Sequence, residues 1–416
     1  MKLIMLKKIE PNITKQINNN NDVVYCKTCV INNKKPVTSL ESKNFIGSQK
    51  NTTRFTDGIC DACRWAKEKN SIDWETREEE LKDLCKKHRR TDGGYDVIVP
   101  CSGGKDSRYV AHYLKTKYGM NPLTVTWKPH MHTQIGLKNL LSFIDQGYDN
   151  YLISPNGKLQ KLLSRLAFEG LGHPFQPFII GQRHVGPKMA LSTGAKLVFY
   201  GENVAEYGNN IEDNYSPKMD PKLYTSFNFL NSTENLDDFF ISGLPIKKLL
   251  KDYKLKLIDF TAYNSPDLKK IINTKTEVHY MSYYRKWIPQ ENYYYAVEKT
   301  GFEPNPERRD GSYSKYAGID DKMEDLHFFM QYIKFGMGRA TWDAAQEIRT
   351  NIITRDEGIA LVKKYDYEYP KIYLKDILEY LSISEETFWN VINRHRNSEL
   401  FIKDSFNNWK LKIDIK

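Results

Sequence analysis

The feature that most constrains this chain is a glycine-containing turn between an apolar strand and a helix. Residues 95–100 (YDVIVP) form a short apolar run typical of a strand, and residues 109–114 (YVAHYL) have the apolar spacing of a helix. Between them lie residues 102–107, with the sequence SGGKDS. Glycine lets the backbone turn tightly, and a helix N-terminus presents free N–H groups with a partial positive charge. The sequence therefore predicts a pyrophosphate-binding loop at the start of this helix.

The side chains of this loop have separate expected roles. Ser102 and Ser107 can add hydroxyl donors. Lys105 either adds positive charge or points to solvent, while Asp106, which would repel phosphate, is expected to hold Mg²⁺ or to brace the loop. The segment matches neither the Walker A pattern nor G-x-G-x-x-G, which excludes those two kinds of nucleotide loop.

Further strand and helix patterns predict the fold class. Residues 123–127, 151–153 and 197–200 have the character of short strands, and a helix over about 178–192 precedes the last of them. Strands that alternate with helices predict a parallel sheet with helices on both faces. We therefore predict an α/β fold with a Rossmann-like parallel sheet.

Changes in composition divide the chain into four predicted regions. Residues 1–22 form a polar tail, residues 23–92 hold paired cysteines and a charged linking helix, and residues 93–260 hold the alternating strands and helices. Residues 261–416 are predicted to be a mostly helical region for substrate or partner binding. Inside the third region, residues 204–240 are polar and irregular, which indicates an insertion or a lid.

The cysteines predict a metal site. Two C-x-x-C pairs are separated by thirty residues and consist of Cys26, Cys29, Cys60 and Cys63. Zn²⁺ favours a tetrahedral shell of soft ligands, and a closed shell of four cysteines has a structural role. This spacing predicts a zinc ribbon. Cys85 and Cys101 have no partner motif and are expected to be ordinary thiols.

Composition narrows the partners only in part. The net charge of +10 attracts anions, so nucleic acid, nucleotide sugars and ATP all fit. No apolar run approaches the roughly 20 residues that span a bilayer. The first apolar stretch, at residues 3–6, is shorter than a signal-peptide core. We expect a cytoplasmic protein without a membrane partner.

The SGGKDS segment, in its strand–loop–helix context, resembles the PP-loop of the ATP pyrophosphatases. That superfamily includes GMP synthetase, NAD synthetase, argininosuccinate synthetase and the tRNA-thiolating enzymes. The resemblance implies a sheet of the PP-loop type, with ATP and Mg²⁺ as cofactors beside the structural Zn²⁺. It also implies that ATP is cleaved between its α- and β-phosphates, that AMP is attached to a carbonyl-type oxygen, and that nitrogen or sulfur then displaces it.

A wider set of motifs resembles the N-acetyl sugar amidotransferases of bacterial surface-polysaccharide and flagellin-glycan pathways. The resemblance runs from about Tyr25 to Asp366 and is carried, besides the cysteines and residues 100–107, by residues 126–130 (TWKPH), 201–203 (GEN), 206–208 (EYG), 279–280 (HY), 287–289 (WIP), 313–316 (YSKY) and 333–340 (IKFGMGRA). It implies that an acetamido group on a sugar is adenylated and that ammonia then displaces AMP to leave an acetamidino group. The implied substrates are anionic or nucleotide-linked sugars, such as precursors of pseudaminic or legionaminic acid.

The candidate site residues combine this resemblance with the expected positions of strand ends. The ATP or pyrophosphate candidates are Ser102, Gly103, Gly104, Lys105, Asp106, Ser107, Val125, Thr126 and Trp127. The catalytic candidates are Asp106, Ser107 and Glu202. The substrate candidates are Lys128, His130, Asn203, Lys315 and Arg339. Core packing for Trp127, a turn cap for Glu202 and plain solvation for Lys315 and Arg339 stay open as alternatives.

The source of nitrogen is expected to be another protein or free ammonia. Met1 is followed by Lys2, so an N-terminal cysteine nucleophile is not expected. Neither Cys85 nor Cys101 lies in a nucleophile elbow, because one sits in a charged helix and the other precedes the loop. As the resemblance suggests, ammonia would come from separate glutaminase and channel subunits.

Two other functions stay open from the sequence. A tRNA-thiolating enzyme also joins a zinc ribbon to SGGKDS, but sulfur transfer usually needs further cysteines, and none follows Cys101. Nucleic acid is therefore not an expected partner. A nucleotide-binding regulator would bind ATP without forming AMP; the intact loop and the acidic groups near the strand ends argue against it.

Overall fold

The computed structural model describes residues 22–37, 41–48, 51–230 and 235–415. The tail predicted over residues 1–22 lies outside the described residues, except for its last residue. The strands of the described chain are β1 (Phe55–Thr56), β2 (Ile59–Cys60), β3 (Val97–Pro100), β4 (Pro122–Trp127), β5 (Asn150–Ile153), β6 (Leu197–Tyr200), β7 (Phe240–Ile241), β8 (Leu244–Pro245), β9 (Glu277–Tyr280), β10 (Phe401–Lys403) and β11 (Trp409–Leu411).

Helices make up most of the remaining regular structure. They are α1 (Asp61–Glu68), α2 (Trp74–His88), α3 (Lys105–Tyr118), α4 (Gln134–Asp145), α5 (Gly157–Leu171), α6 (Gln176–Thr193), α7 (Lys222–Thr225), α8 (Ile246–Asp252), α9 (Leu268–Thr274), α10 (Met281–Tyr284), α11 (Pro289–Thr300), α12 (Glu324–Phe335), α13 (Arg339–Arg349), α14 (Arg355–Tyr365), α15 (Leu374–Leu381) and α16 (Glu385–His395). In the described part of the chain, no helix combines the length and the apolar character needed to cross a membrane.

The central sheet has five parallel strands in the order β5-β4-β3-β6-β9. This confirms the predicted α/β class with a parallel sheet. Strand β9 was missed, because its sequence EVHY is short and lies in a region predicted to be mostly helical. It pairs with β6 through Leu197 opposite Glu277, so the sheet extends beyond the domain end predicted at residue 260. The other domain boundaries stay predictions.

Alternate residues of β3 show why helices cover both faces of the sheet. Successive side chains of a strand point to opposite faces. Ile98 is buried in a core with residues of α5 and α6, such as Leu163 and Val185. Its neighbour Val99 is buried in a second core with Val110 and other residues of α3. The near-continuous apolar run of β3 therefore reflects burial on two faces.

The segment predicted as a polar insertion or lid is packed into the core in its described part. Short turns of 3-10 helix run over Val204–Tyr207 and Ile211–Asn214. The aromatic residues Tyr224, Phe227 and Phe229 are buried with the side chains of α6. Composition indicated an insertion or a lid, and these few aromatics attach the segment to the sheet layer.

The cysteine module packs against the C-terminal helices. Its cysteines share one hydrophobic core with Ala344, Ala345 and Ile348 of α13. Asn32 reaches the link between α12 and α13, where its side chain donates to the carbonyl of Phe335 over 3.0 Å. The second and the last predicted regions are therefore in direct contact, although the sequence separates them by the whole sheet domain.

Candidate functional site

A cavity of about 1110 Å³ opens at the carboxyl edge of the parallel sheet. The last residues of four strands line it, namely Pro100, Trp127, Tyr200 and Tyr280. Ligands of open α/β sheets bind at this edge, because the loops that leave parallel strands meet there. The topology therefore puts the SGGKDS loop, which follows β3, beside the segment that follows β6.

The backbone of the SGGKDS loop is shaped by its glycines. Gly103 has φ +87, and a Cβ atom there would lie 2.7 Å from the backbone of Leu140. Gly104 is the N-cap of α3, with extended backbone angles. The buried Arg108 fixes the loop to its neighbours. Its Nε donates to the carbonyl of Gly103 over 3.0 Å, and its other guanidinium nitrogens donate to the carbonyls of Asn139 and Thr300. Arg108 was not foreseen.

The charged residues of the loop face the cavity. Lys105 is buried rather than pointing to solvent, and its Nζ forms an ion pair with Asp106. The other carboxylate oxygen of Asp106 accepts a hydrogen bond of 3.2 Å from Asn292 of α11. The hydroxyl of Ser107 donates to the carbonyl of Gly104 within the first turn of α3. The loop thus offers one cation and one braced carboxylate to a ligand.

Glu202, which follows β6, lines the same cavity as Asp106. Burial and the charge of Asp106 raise the pKa of Glu202, while a hydrogen bond from Tyr207 and the charge of Lys105 act in the opposite direction. Asn203 also lines the cavity, but its side chain caps the following turn and donates to the carbonyl of Asp213. The structure therefore brings two catalytic candidates together and gives Asn203 a structural contact.

The three residues predicted at the end of β4 divide between the two faces of the strand. Val125 and Trp127 line the cavity. The hydroxyl of Thr126 instead donates to the carbonyl of Cys101 over 2.6 Å and is buried. Trp127 also packs so closely on α6 that a Cβ atom at Gly181 would lie 2.1 Å from its ring. The ring of Trp127 thus packs in the core and also borders the cavity, and its role in ATP binding stays a prediction.

Three substrate candidates lie away from this cavity. Lys128 and His130 line a separate cavity of about 330 Å³. His130 is buried, and its Nδ1 lies 2.8 Å from a carboxylate oxygen of Asp321. The Nζ of Lys315 donates to the carbonyl of Pro306 at the surface. The structure does not bring these side chains to the SGGKDS loop.

Arg339 does line the cavity, at the first turn of α13. Its guanidinium pairs with Glu324 over 3.2 Å and with Asp343 over 3.1 Å. Burial raises the pKa of Glu324 to about 7, with the charge of Arg339 opposing it. The guanidinium of Arg339 is thus already in contact with two carboxyl groups before any anion binds.

The lining around Arg339 comes from the C-terminal part of the chain. Trp342, Asp343, Gln346 and Glu347 of α13 border the cavity. Residues 310–416 match the family model described as LPS biosynthesis protein WbpG-like, C-terminal domain. A comparison with curated proteins found no match. The WbpG-like domain therefore supplies part of the wall of the cavity into which the SGGKDS loop opens.

Some residues that line the cavity were missed, among them Tyr316, which lies in a quoted motif, and Asp320, which lies in none. In the motif at residues 313–316, charge drew attention to Lys315, but Ser314 and Tyr316 line the cavity. The ring of Tyr316 lies 5.9 Å from Nζ of Lys105. Asp320 also borders the cavity, and burial together with Asp321 raises its pKa. A single acidic residue in an irregular stretch has no local signal that marks it as part of a site.

The four paired cysteines form a cluster suited to a metal ion. Their Sγ atoms all lie within 4.8 Å of one another and all four residues are buried. Cys26 and Cys63 are 3.9 Å apart, and Cys29 and Cys60 are 3.7 Å apart. A tetrahedral zinc site with Zn–S bonds of about 2.3 Å requires sulfur atoms about 3.8 Å apart. The geometry is compatible with the predicted structural zinc ribbon.

Proposed function

We propose that this chain is an ATP-dependent amidotransferase of bacterial surface-glycan synthesis. It would convert an acetamido group of a sugar to an acetamidino group and release AMP and pyrophosphate. The observation that carries the proposal is that the SGGKDS loop and the WbpG-like domain line one cavity. The loop would then bind ATP, and the domain matched to LPS biosynthesis proteins would hold the acetamido sugar, in the same cavity.

The loop supports the nucleotide half of the proposal. The start of α3 presents backbone N–H groups toward the cavity, and Lys105 lies beside them. This arrangement is suited to pyrophosphate, because helix N-termini and lysine both stabilise phosphate charge. The carboxylates of Asp106 and Glu202 are hard oxygen ligands of the kind that Mg²⁺ prefers. Bound ATP would supply AMP as a leaving group, which an amide oxygen lacks by itself.

The wall from the WbpG-like domain supports the acceptor half. It combines the rings of Tyr316 and Trp342 with the polar side chains of Asp343, Gln346 and Glu347. Aromatic faces beside hydrogen-bonding groups suit a polar ring with apolar faces, such as a sugar. Because Arg339 is already paired with carboxyl groups, recognition of an acidic sugar would need another cation of the cavity, such as Lys105 or Arg183, or a bound metal ion.

The test is a reaction with the zinc-loaded protein, ATP, Mg²⁺ and ammonium, offered a panel of acetamido sugars. We expect AMP release that depends on one sugar, together with a product in which mass spectrometry finds one oxygen replaced by NH. An Asp106→Asn protein serves as the inactive control. ADP instead of AMP, or AMP release that depends on tRNA rather than on a sugar, would contradict the proposal.

Delivery of ammonia is tested separately. We propose that the chain itself has no glutaminase and takes ammonia that is free or supplied by partner subunits. With glutamine in place of ammonium, the purified chain should form no acetamidino product and no glutamate. Glutamate release at the rate of AMP formation would show that this part of the proposal is wrong, without affecting the adenylation chemistry.

A further inference from the structure

Arg349, the last residue of α13, joins the cysteine cluster to the segment that follows β6. Its Nη1 lies 3.9 Å from Sγ of Cys29. Its Nη2 donates to the backbone carbonyl of Glu206 over 3.3 Å. One guanidinium therefore contacts a predicted metal ligand and the short helix Val204–Tyr207 at the same time.

The side chain of Glu206 makes a second connection to the same module. Its two carboxylate oxygens accept hydrogen bonds from the indole N–H of Trp65 over 2.8 Å and from Nζ of Lys69 over 2.7 Å. Both carboxylate and ammonium are almost fully buried, with 5% and 7% of their side chains exposed. Trp65 follows Cys63 by two residues on α1, so this contact also depends on how the cysteines hold that helix.

A further hydrogen bond connects this short helix to the main cavity. The helix Val204–Tyr207 carries Tyr207, whose hydroxyl donates to Glu202 over 2.5 Å. Glu202 borders the cavity together with Asp106. The contacts of Arg349 and of the Glu206 side chain hold this short helix in place. If the helix moves, Tyr207 moves with it, and the hydrogen bond from Tyr207 to Glu202 is disturbed.

We propose that Arg349 and Glu206 are positioning residues through which the metal ion of the cysteine cluster sets the geometry of Glu202. The inference rests on the proposed function only in assigning Glu202 to catalysis. Four thiolates around Zn²⁺ carry a net charge of −2, and a guanidinium is well suited to compensate such a group. When the metal ion is removed, the position of Cys29 is no longer fixed, so Arg349, which contacts its Sγ atom, holds the carbonyl of Glu206 less firmly.

The experiment follows local order rather than activity alone. Hydrogen exchange of the backbone amides of residues 202–208 is measured by mass spectrometry for the zinc-loaded protein, for the same protein after chelation, and for zinc-loaded Arg349→Met. We expect chelation and Arg349→Met each to raise exchange in residues 202–208 by about tenfold or more. Exchange in the sheet strands β3 and β4 should stay unchanged.

A matched control is provided by Arg355, which also contacts the cysteine module. Its guanidinium donates to the backbone carbonyls of Cys29 and Cys26 over 3.3 and 3.2 Å. Because Arg355 has no hydrogen bond to the helix Val204–Tyr207 among the described contacts, Arg355→Met should leave exchange in residues 202–208 unchanged while zinc stays bound. Arg349→Lys should restore part of the protection, since it keeps the charge.

Activity then supplies a second reading. With zinc content equal to that of the parent protein, Arg349→Met should lower kcat for AMP formation by about tenfold, with a smaller effect on the KM for ATP. If Arg349→Met does not fold, Glu206→Gln provides the same test from the other contact. The proposal is overturned if the zinc-loaded variants keep normal exchange in residues 202–208, or if chelation raises exchange uniformly over the chain. An inactive protein with the expected exchange pattern would refute the proposed function alone.

Discussion

The hydroxyl of Tyr207 donates a hydrogen bond of 2.5 Å to Oε1 of Glu202. Both residues border the cavity at the carboxyl edge of the sheet. Burial and the neighbouring charge of Asp106 favour the protonated form of Glu202, whereas this hydrogen bond favours the ionised form. The protonation state of Glu202 therefore depends on its hydrogen bond with Tyr207, which follows it by five residues in the sequence.

Removing that contact should change the pH dependence of the reaction. In Tyr207→Phe the ionised form of Glu202 loses a donor, so its pKa should rise further above the ordinary value. If the ionised carboxylate is the active form, the acidic limb of the profile of kcat against pH should move to higher pH by about one unit. Glu202→Gln should abolish that limb together with most of the activity. An unchanged limb in Tyr207→Phe would show that Glu202 does not control it.

A methyl group on the loop should weaken phosphate binding. Gly103→Ala combines a backbone φ of +87 with a Cβ atom 2.7 Å from the backbone of Leu140. We expect unfolding free energy to fall by about 2–3 kcal/mol and pyrophosphate affinity to fall about tenfold or more. Gly147→Ala is the control, because its φ is +89 but its Cβ atom would meet only Nζ of Lys115 at 3.8 Å.

The unfolding free energy of Gly147→Ala should fall by about 1 kcal/mol, and its pyrophosphate affinity should not change. The two variants share the backbone strain of a positive φ, but only Gly103→Ala brings a Cβ atom against the backbone of Leu140. Denaturant unfolding and titration calorimetry with pyrophosphate measure the two quantities. Equal losses of affinity in both glycine variants would contradict a specific role for the close approach of Gly103 to Leu140.

The charge of Asp106 should matter more than its hydrogen bond. Asp106→Asn keeps the size of the side chain but removes the carboxylate that pairs with Lys105. We expect AMP formation to fall by about 100-fold, with a higher Mg²⁺ concentration needed for half-maximal rate. Asn292→Ala removes only the 3.2 Å hydrogen bond to Asp106, and a loss of about tenfold or less is expected. The reverse ranking would indicate that Asp106 braces the loop and does not bind the metal ion.

Glu324 should make the stability of the protein fall as the pH rises. Burial raises the pKa of its carboxyl group from 4.5 to about 7. Because the folded protein then holds this proton more tightly than the unfolded chain, the stabilisation is complete below the unfolded pKa and is lost as the pH passes through the folded value. The resulting loss between pH 4.5 and 7.5 should be about 3 kcal/mol.

The measurement is the difference in unfolding free energy between the parent protein and Glu324→Gln across this range. That difference isolates Glu324, because Asp325 and Asp366, whose pKa values burial raises to about 6, are present in both proteins. As the pH rises, the unfolding free energy of the parent protein should fall relative to that of Glu324→Gln. A difference independent of pH would show that Arg339 keeps Glu324 ionised throughout.

The strand–loop–helix unit was predictable because its signals are local. An apolar run, two glycines and an apolar helical pattern follow each other within residues 95–114. The same holds for four of the five sheet strands and for the cysteine pairs, whose spacing matches the ligand spacing of zinc. These features depend on neighbours in the chain, so a single sequence contains the information needed to place them.

Other features were decided by the tertiary structure. In the motif at residues 313–316, the positive charge of Lys315 suggested that this residue would face a ligand. Instead Tyr316 lines the cavity, and Lys315 lies at the surface. All four residues of strand β9 pair with β6, a partner that is distant in sequence. Arg349 reaches Cys29 across 320 positions of the chain.

By itself, the sequence determined the class of the sheet, the position of the SGGKDS loop between a strand and a helix, and the identity of the clustered cysteines. The folded structure decided which polar side chains meet: Glu202 with Tyr207 in the cavity, and Arg349 with the carbonyl of Glu206. The physical reason is that periodicity and motif spacing record contacts along one element. Contacts between elements depend on packing, and no pattern along the chain encodes which polar groups that packing brings within hydrogen-bonding distance.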